Sequence, residues 1–236
     1  MSHKNLGRII FAVYAVVALA GGGTITVCPS GCDYSSPKAA VFAAREGDVV
    51  EMMSGRYYDH LKIDKRIVLL GVDSGGGMPV LDATGYASPL TVSADGVVVE
   101  GLRLMNGGPG SAGILVLSSE NVIRDNDASN NYVGIRLVGS NNSTVRGNVA
   151  SGNLEYGIML EGSTGNVVVN NVMMKNFIAN AFDDGVNSWD DGSSGNRYGD
   201  FDEPTEGCAD ADLDGICDAV RPIPGGSNFD RFPLAG

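Results

Sequence analysis

Between Cys208 and Cys217 the chain reads CADADLDGIC, and Asp218 follows. Asp210, Asp212 and Asp214 take positions 1, 3 and 5 of a loop, with Gly215 at position 6 and Asp218 at position 9. Alternating carboxylates on a tightly turning loop can point at one centre, with Gly215 making the turn and the Ile216 carbonyl adding a further oxygen. Like charges this crowded repel one another unless a cation sits among them. Hard oxygen donors with no histidine nearby select Ca2+ over zinc or copper. Calcium is therefore the expected cofactor, held by Asp210, Asp212, Asp214, Ile216 and Asp218. Position 12, where an EF-hand carries a bidentate Glu, is Arg221, so the loop is not an EF-hand.

The loop closes a longer acidic stretch. From Asp183 to Asp218 there are twelve acids and one base, Arg197, a local balance of −11 within a net charge of −12. Asp200, Asp202, Glu203 and Glu206 could complete the first site or form a second. Trp189, flanked by Asp190 and Asp191, offers a sugar ring a stacking platform if exposed, and a plug for the end of the core if buried. Two short cysteine spacings, Cys28 with Cys32 and Cys208 with Cys217, read as two disulfide clips; a single four-cysteine zinc site would have to join the chain's two ends.

The acidity excludes a nucleic-acid partner, which needs a basic face. Lys4 and Arg8 precede an apolar run from Ile9 to Ala20 that ends in Ala18-Leu19-Ala20, the pattern of an export signal over residues 1–20. Twelve apolar residues are too few to span a bilayer; left uncleaved, the segment would be a membrane anchor. The expected location is extracellular or at the cell surface.

These residues need elements to position them. Three lines stack at a period of 21 to 23 residues, from Gly113, Gly134 and Gly157. Ile114, Ile135 and Ile158 align, as do Ser119, Ser140 and Ser163, and two asparagine columns follow, Asn126/Asn148/Asn171 and Asn131/Asn153/Asn176. Apolar residues alternate within each line in short runs punctuated by Gly, Asn or Ser, which is strand rather than helix patterning. Thirty-four glycines point the same way. A chain that winds once per repeat and pairs each strand with its equivalent in the next coil is a parallel β-helix, the asparagines forming ladders at its turns. "DGVVVEGLRL" and "KRIVLLG" extend the stack upstream. Ser36 can cap a short helix with Pro37 at its first position, a lid for the N-terminal end. The expected layout is an export signal (1–20), an N-terminal cap (21–48), the helix (49–182) and an acidic calcium-binding cap (183–236). Asn141 and Asn142 each begin an N-x-Ser/Thr sequon, a site for N-glycosylation in a cell that performs it.

"CPSGCDYSS" through "GDVVEM", "YYDHLKIDK", the Gly-Ile/Asn repeats and the ending "GNRYGDF…DADLDGICD…PIPGGSNFDRFPL" resemble the right-handed β-helix proteins of the pectin-lyase-like group, above all their NosD-like branch. The aspartate loop also resembles those of thrombospondin type 3 modules. The resemblance implies an all-β fold, a single-stranded right-handed parallel β-helix with an N-terminal capping helix and an irregular acidic C-terminal segment. It specifies activity poorly, because this fold hosts lyases, hydrolases, epimerases and surface proteins.

Asp183-Asp184 is similar to the double aspartate of β-helix polygalacturonases, but their Gly-His-Gly is missing and only His60 follows the signal. Arg124 and Arg146 align one coil apart, with Val169 in the third line, and read as a solvated column rather than a lyase site. The NosD resemblance implies copper delivery, which wants His, thiolate or clustered Met; Met52-Met53 and Met173-Met174 would each send one side chain inward. The sequence thus reads as a noncatalytic, calcium-stabilised, exported β-helix that binds a polysaccharide or cell-envelope component, with no catalytic residues assigned. A polysaccharide-active enzyme and a copper accessory protein are the alternatives.

Overall fold

The computed structural model of the protein describes residues 22–236; the export segment expected at residues 1–20 lies outside them. The chain winds into a stack of coils with up to three short strands each, one on each of three faces. The first face holds Thr24–Val27, Val49–Met53, Val68–Val72, Val98–Glu100, Val122–Arg124, Thr144–Arg146, Thr164–Val169 and Val186–Ser188. The second runs from Arg56–Tyr58 through Val80–Asp82 and Arg103–Met105, continues as single bridges at Asp127 and Val149, and ends with Val172–Met173 and Arg197–Tyr198. The third comprises Leu61–Ile63, Leu90–Val92, Ala112–Val116, Val133–Val138, Tyr156–Glu161 and Ala179–Asp183. Every strand pair on these faces is parallel, so the fold is the parallel β-helix the repeat predicts.

Equivalent residues lie over one another. Ile114 pairs with Ile135, Ile135 with Ile158 and Ile158 with Ala181, all fully buried. Val99, Ile123, Val145 and Val168 form the matching interior column of the first face. Alternation drives this: in a strand each apolar residue faces the axis and its neighbours face out. The stack is longer than the expected 49–182. Thr24–Val27 already pairs with Val49–Met53, and coils continue to Val186–Ser188 and Arg197–Tyr198. These strands escape the repeat because the turns around them differ in length. The serine column is also displaced at one position: the buried serine that aligns with Ser140 and Ser163 is Ser118, while the Ser119 hydroxyl accepts from the Asn141 amide. The turn after Val116 is one residue shorter than its successors, since Val116 pairs with Leu137 but Val122 pairs with Thr144.

Polar ladders fill the three corners. At the first, the amide of Leu102 donates to Asn126 Oδ1, that of Asn126 to Asn148, that of Asn148 to Asn171 and that of Asn171 to Asn196, at 2.9–3.1 Å. The second runs from Gly107 through Asn131 and Asn153 to Asn176. The third runs from Val97 through Asn121, Ser143, Asn166 and Asn187 to Asn228, and Ser143 in its middle hides it from an asparagine count. Each ladder satisfies turn amides that the strands leave unpaired inside the core.

Both ends are closed. Helix Pro37–Ala43 is capped by Ser36, whose hydroxyl accepts from the Ala39 amide, and Lys65 Nζ donates to the carbonyls of Val41, Phe42 and Ala44 at its far end. It buries Ala40 and Val41 on the first coils. At the other end the tail supplies the ladders' last partners: Asp230 for the first and Asn228 for the third, while Asp200 takes the Asn180 amide that ends the second.

Candidate functional site

Both predicted disulfides form, Cys28–Cys32 and Cys208–Cys217. The second closes the acidic loop. Within it the Asp210 carboxylate accepts from the amides of Asp214 (3.1 Å) and Gly215 (3.0 Å), and Asp214 Oδ1 accepts from Ile216 (2.8 Å). Gly215 has φ +88°, a conformation that favours glycine, so the turn needs this residue. The result brings carboxylate oxygens of Asp210, Asp212 and Asp214 within 4.8 Å of one another. Asp218 lies outside that group, with Oδ2 accepting from the Ala211 amide at 3.0 Å. Ile216 bridges Leu234 in antiparallel fashion, tying the loop to the tail. The neighbouring acids are engaged elsewhere: Asp200 pairs with Arg221, Asp202 with Arg197, and Glu206 accepts from the Asp202 amide.

The Trp189 cluster is a plug, not a sugar platform. Trp189 is fully buried, its indole N–H donating to Asp183 at 2.8 Å and its carbonyl accepting from Asn196. Asp190 is buried and forked onto Arg231 at 2.6 and 2.9 Å. Asp191 is exposed, but it closes a turn by accepting from the amides of Ser193 and Ser194. Closing the core outweighs any surface role for so large an indole, and burial takes Trp189 and Asp190 out of a ligand's reach. Asp183 is likewise buried, bonded to Trp189, Asn187 and Gly185, whereas Asp184 Oδ1 accepts from the Gly162 amide. They serve the fold separately and do not form a carboxylate pair. Asn141 and Asn142 are both exposed at the corner between the third and first faces.

Charged groups on the outer faces are paired from coil to coil: Arg124 with Glu100 at 2.6 Å, Arg103 with Asp127 at 2.8 Å, and Arg136 with Glu161 and Arg56 with Asp82. Soft and nitrogen donors are scattered. All four cysteines are disulfide-bonded, Met52 and Met173 are buried in different coils, and His60 is exposed near the N-terminal lid.

An open cleft of about 560 Å³, without a signal in the sequence, lies at the corner between the second and third faces. Asp82, Thr84, Gly85, Asn106, Asn130 and Leu154 contribute to its wall. Gly107 and Gly152 also line it, and a Cβ on Gly107 would lie 3.0 Å from Ser111 Oγ and 3.2 Å from Asn131 Oδ1. Asn106, Asn130 and Gly152 all have positive φ, so the outer corner turns sharply in three successive coils. Two residues later, past the inward asparagine ladder, Tyr132, Leu154 and Phe177 form a column that points outward; Leu154 is 63% and Phe177 86% exposed. Asp82, at the back of the cleft, is held by Arg56, by Asn106 Nδ2 at 2.8 Å and by the Thr84 amide at 2.9 Å. Burial pushes its carboxyl up, but these bonds outweigh burial and leave it below the usual range.

No curated protein sequence matches the chain. Solved structures resemble it at low identity. Pectin methylesterase from carrot shares 16% identity at a TM-score of 0.45, over 75% of this chain and 63% of that one. A pectin methylesterase mutant in complex with a hexasaccharide shares 15% at 0.44, over 74% and 65%. The chain thus spans just under two thirds of either structure's length. Residues 80–203, more than half of the 236, match the family described as periplasmic copper-binding protein (NosD), and the protein belongs to that family.

Proposed function

We propose that the protein is an exported, noncatalytic β-helix that binds a glycan or envelope component on its outer surface and is stabilised at its C-terminal end by calcium. The observation that carries the binding reading is the corner cleft, whose size falls in the ordinary range for ligand sites and whose wall mixes amide, hydroxyl and apolar groups. The noncatalytic reading rests on how the acids are spent: Asp183 and Asp190 hold the plug, and Glu100, Glu161, Asp82 and Asp127 pair with arginines of adjacent coils. Hydrolysis would need two carboxyls poised across a sugar bond. Two disulfides and the periplasmic family description favour an oxidising compartment outside the cytoplasm.

Calcium would be held by Asp210, Asp212 and Asp214, with backbone and water oxygens completing its shell. Copper, which the family description names, fits the described residues poorly. Thiolates are locked in disulfides, and the one histidine among the described residues stands apart from the methionine pairs. Incubation with a polysaccharide panel, read both by retention on immobilised glycans and by release of reducing ends or unsaturated uronates, tests the proposal. Retention without turnover is expected; turnover overturns the noncatalytic reading, and absence of retention overturns the binding reading.

A further inference from the structure

We infer that the corner cleft takes a neutral, hydroxyl-rich glycan laid lengthwise along the helix, with Leu154 in its wall and Phe177 one coil beyond as its apolar rail. This deepens the glycan-binding reading above and rests on it. The column repeats one coil at a time, about 4.8 Å apart along the axis, so a chain of sugar rings lying parallel to the axis can meet an equivalent side chain at each coil. Leu154 and Phe177 remain mostly exposed, whereas Tyr132 is half-buried beside the Glu155 carboxylate; Tyr86, at 84% exposure, follows the lining residue Gly85. An aromatic or branched apolar face presented beside amides suits a ring that is apolar on its C–H face and polar at its rim.

The polar partners also point to a neutral ligand. The exposed Asn130 side chain makes no hydrogen bond among the described residues, so both its carbonyl and its amide can serve a hydroxyl. Asn106 uses Nδ2 on Asp82 and keeps its carbonyl oxygen for a donor. The lining includes no lysine or arginine, and its only charge, Asp82, is answered by Arg56. Lys175 lies one coil beyond Gly152, outside the lining. A polyuronate would approach a protein of net charge −12 without a cationic cleft to receive it.

Affinity electrophoresis of the full chain through gels containing a soluble neutral glucan, xylan or mannan, and in parallel polygalacturonate, tests this. Retardation by a neutral polymer is expected, unchanged between low and 0.5 M salt. Leu154→Ala and Asn130→Ala should each weaken it at least about tenfold, the loss of one good contact, while Lys175→Ala leaves it unchanged. Both substitutions are on exposed side chains, and Trp189 fluorescence verifies that the variants stay folded. Salt-sensitive retardation by polygalacturonate alone overturns the inference and leaves glycan binding standing. Neutral binding that ignores Leu154 and Asn130 overturns the location. Retardation by none of the polymers overturns both readings.

Discussion

Asp230 ends the first asparagine ladder, and its protonation should govern how firmly the tail closes the helix. Asp230 is fully buried. One oxygen accepts from the Asn196 amide (2.7 Å), Asn196 Nδ2 (3.2 Å) and the Tyr198 hydroxyl (3.0 Å); the other accepts from the Phe232 amide (3.0 Å). Desolvation outweighs these four donors and pushes the carboxyl from 3.8 up to about 6. Because the folded value lies above the unfolded one, the folded protein binds the extra proton in that interval. The resulting stabilisation is complete below about pH 4 and is lost as the pH rises through about 6. A displacement of about two pH units corresponds to about 3 kcal/mol. Asp190 is displaced in the opposite direction, since Arg231 and two backbone amides outweigh its burial, so the raw pH profile of the wild type mixes the two. Comparison with Asp230→Asn removes that mixture, because the amide imitates the protonated carboxyl at every pH. The assay is chemical denaturation followed by Trp189, the chain's single tryptophan, whose carbonyl accepts from Asn196 in the same cluster. Relative to Asp230→Asn, the wild type should lose about 3 kcal/mol between pH 4 and pH 7. Parallel curves over that interval would refute the reasoning.

Other expectations follow from the same contacts. Asn171→Ala strips partners from the Asn148 amide and the Val145 carbonyl at once; at about 1–3 kcal/mol per orphaned buried group, the loss should be at least about 2 kcal/mol in denaturant titration. If calcium sits among Asp210, Asp212 and Asp214, saturating it at 100 times its dissociation constant adds about 2.7 kcal/mol, read as a higher thermal midpoint in calcium than in chelator; Asp212→Asn should shrink the difference, and equal midpoints would count against a structural ion. Copper titration of the oxidised protein should show no submicromolar site, because the described residues assemble no soft donor set; such a site would revive the accessory role.

The winding was legible because one physical constraint repeats. An inward apolar pair such as Ile135 and Leu137, then an amide at a turn, recurs wherever a coil must bury a strand and satisfy a corner, and three coils of nearly equal length let the eye superpose them. Legibility failed where a single residue changed the count. The short turn after Val116 moved the buried serine from Ser119 to Ser118, and Ser143 concealed the third ladder. The acidic segment misled in a different way. Asp183, Asp190, Asp200 and Asp202 are close in sequence, but Asp190 and Asp200 meet Arg231 and Arg221 from the tail, whereas Asp183 and Asp202 meet Trp189 and Arg197 within the stretch. Composition registers the charges and cannot register the partners. The corner cleft left no mark because its lining, from Asp82 to Leu154, is assembled from the turns of four coils that no single repeat brings together.

A stack of this kind gains little specificity from its middle, since any coil can pair with any other of the same shape. Its register must come from groups that cannot be left unpaired. Sliding one coil past the next would cost several buried amides at each of the three corners, whereas the apolar columns would exchange one aliphatic residue for another at small cost. The ladders therefore set the register, and the ends decide whether the ladders are complete. This explains why the tail crosses the end of the stack to deliver Asn228 to one corner and Asp230 to another, and why Asp200 meets the Asn180 amide that continues the remaining one. It also explains why the interior is intolerant while the outer corner is not: Leu154 and Phe177 contribute to no ladder and fill no core, so the fold leaves their identity free for recognition.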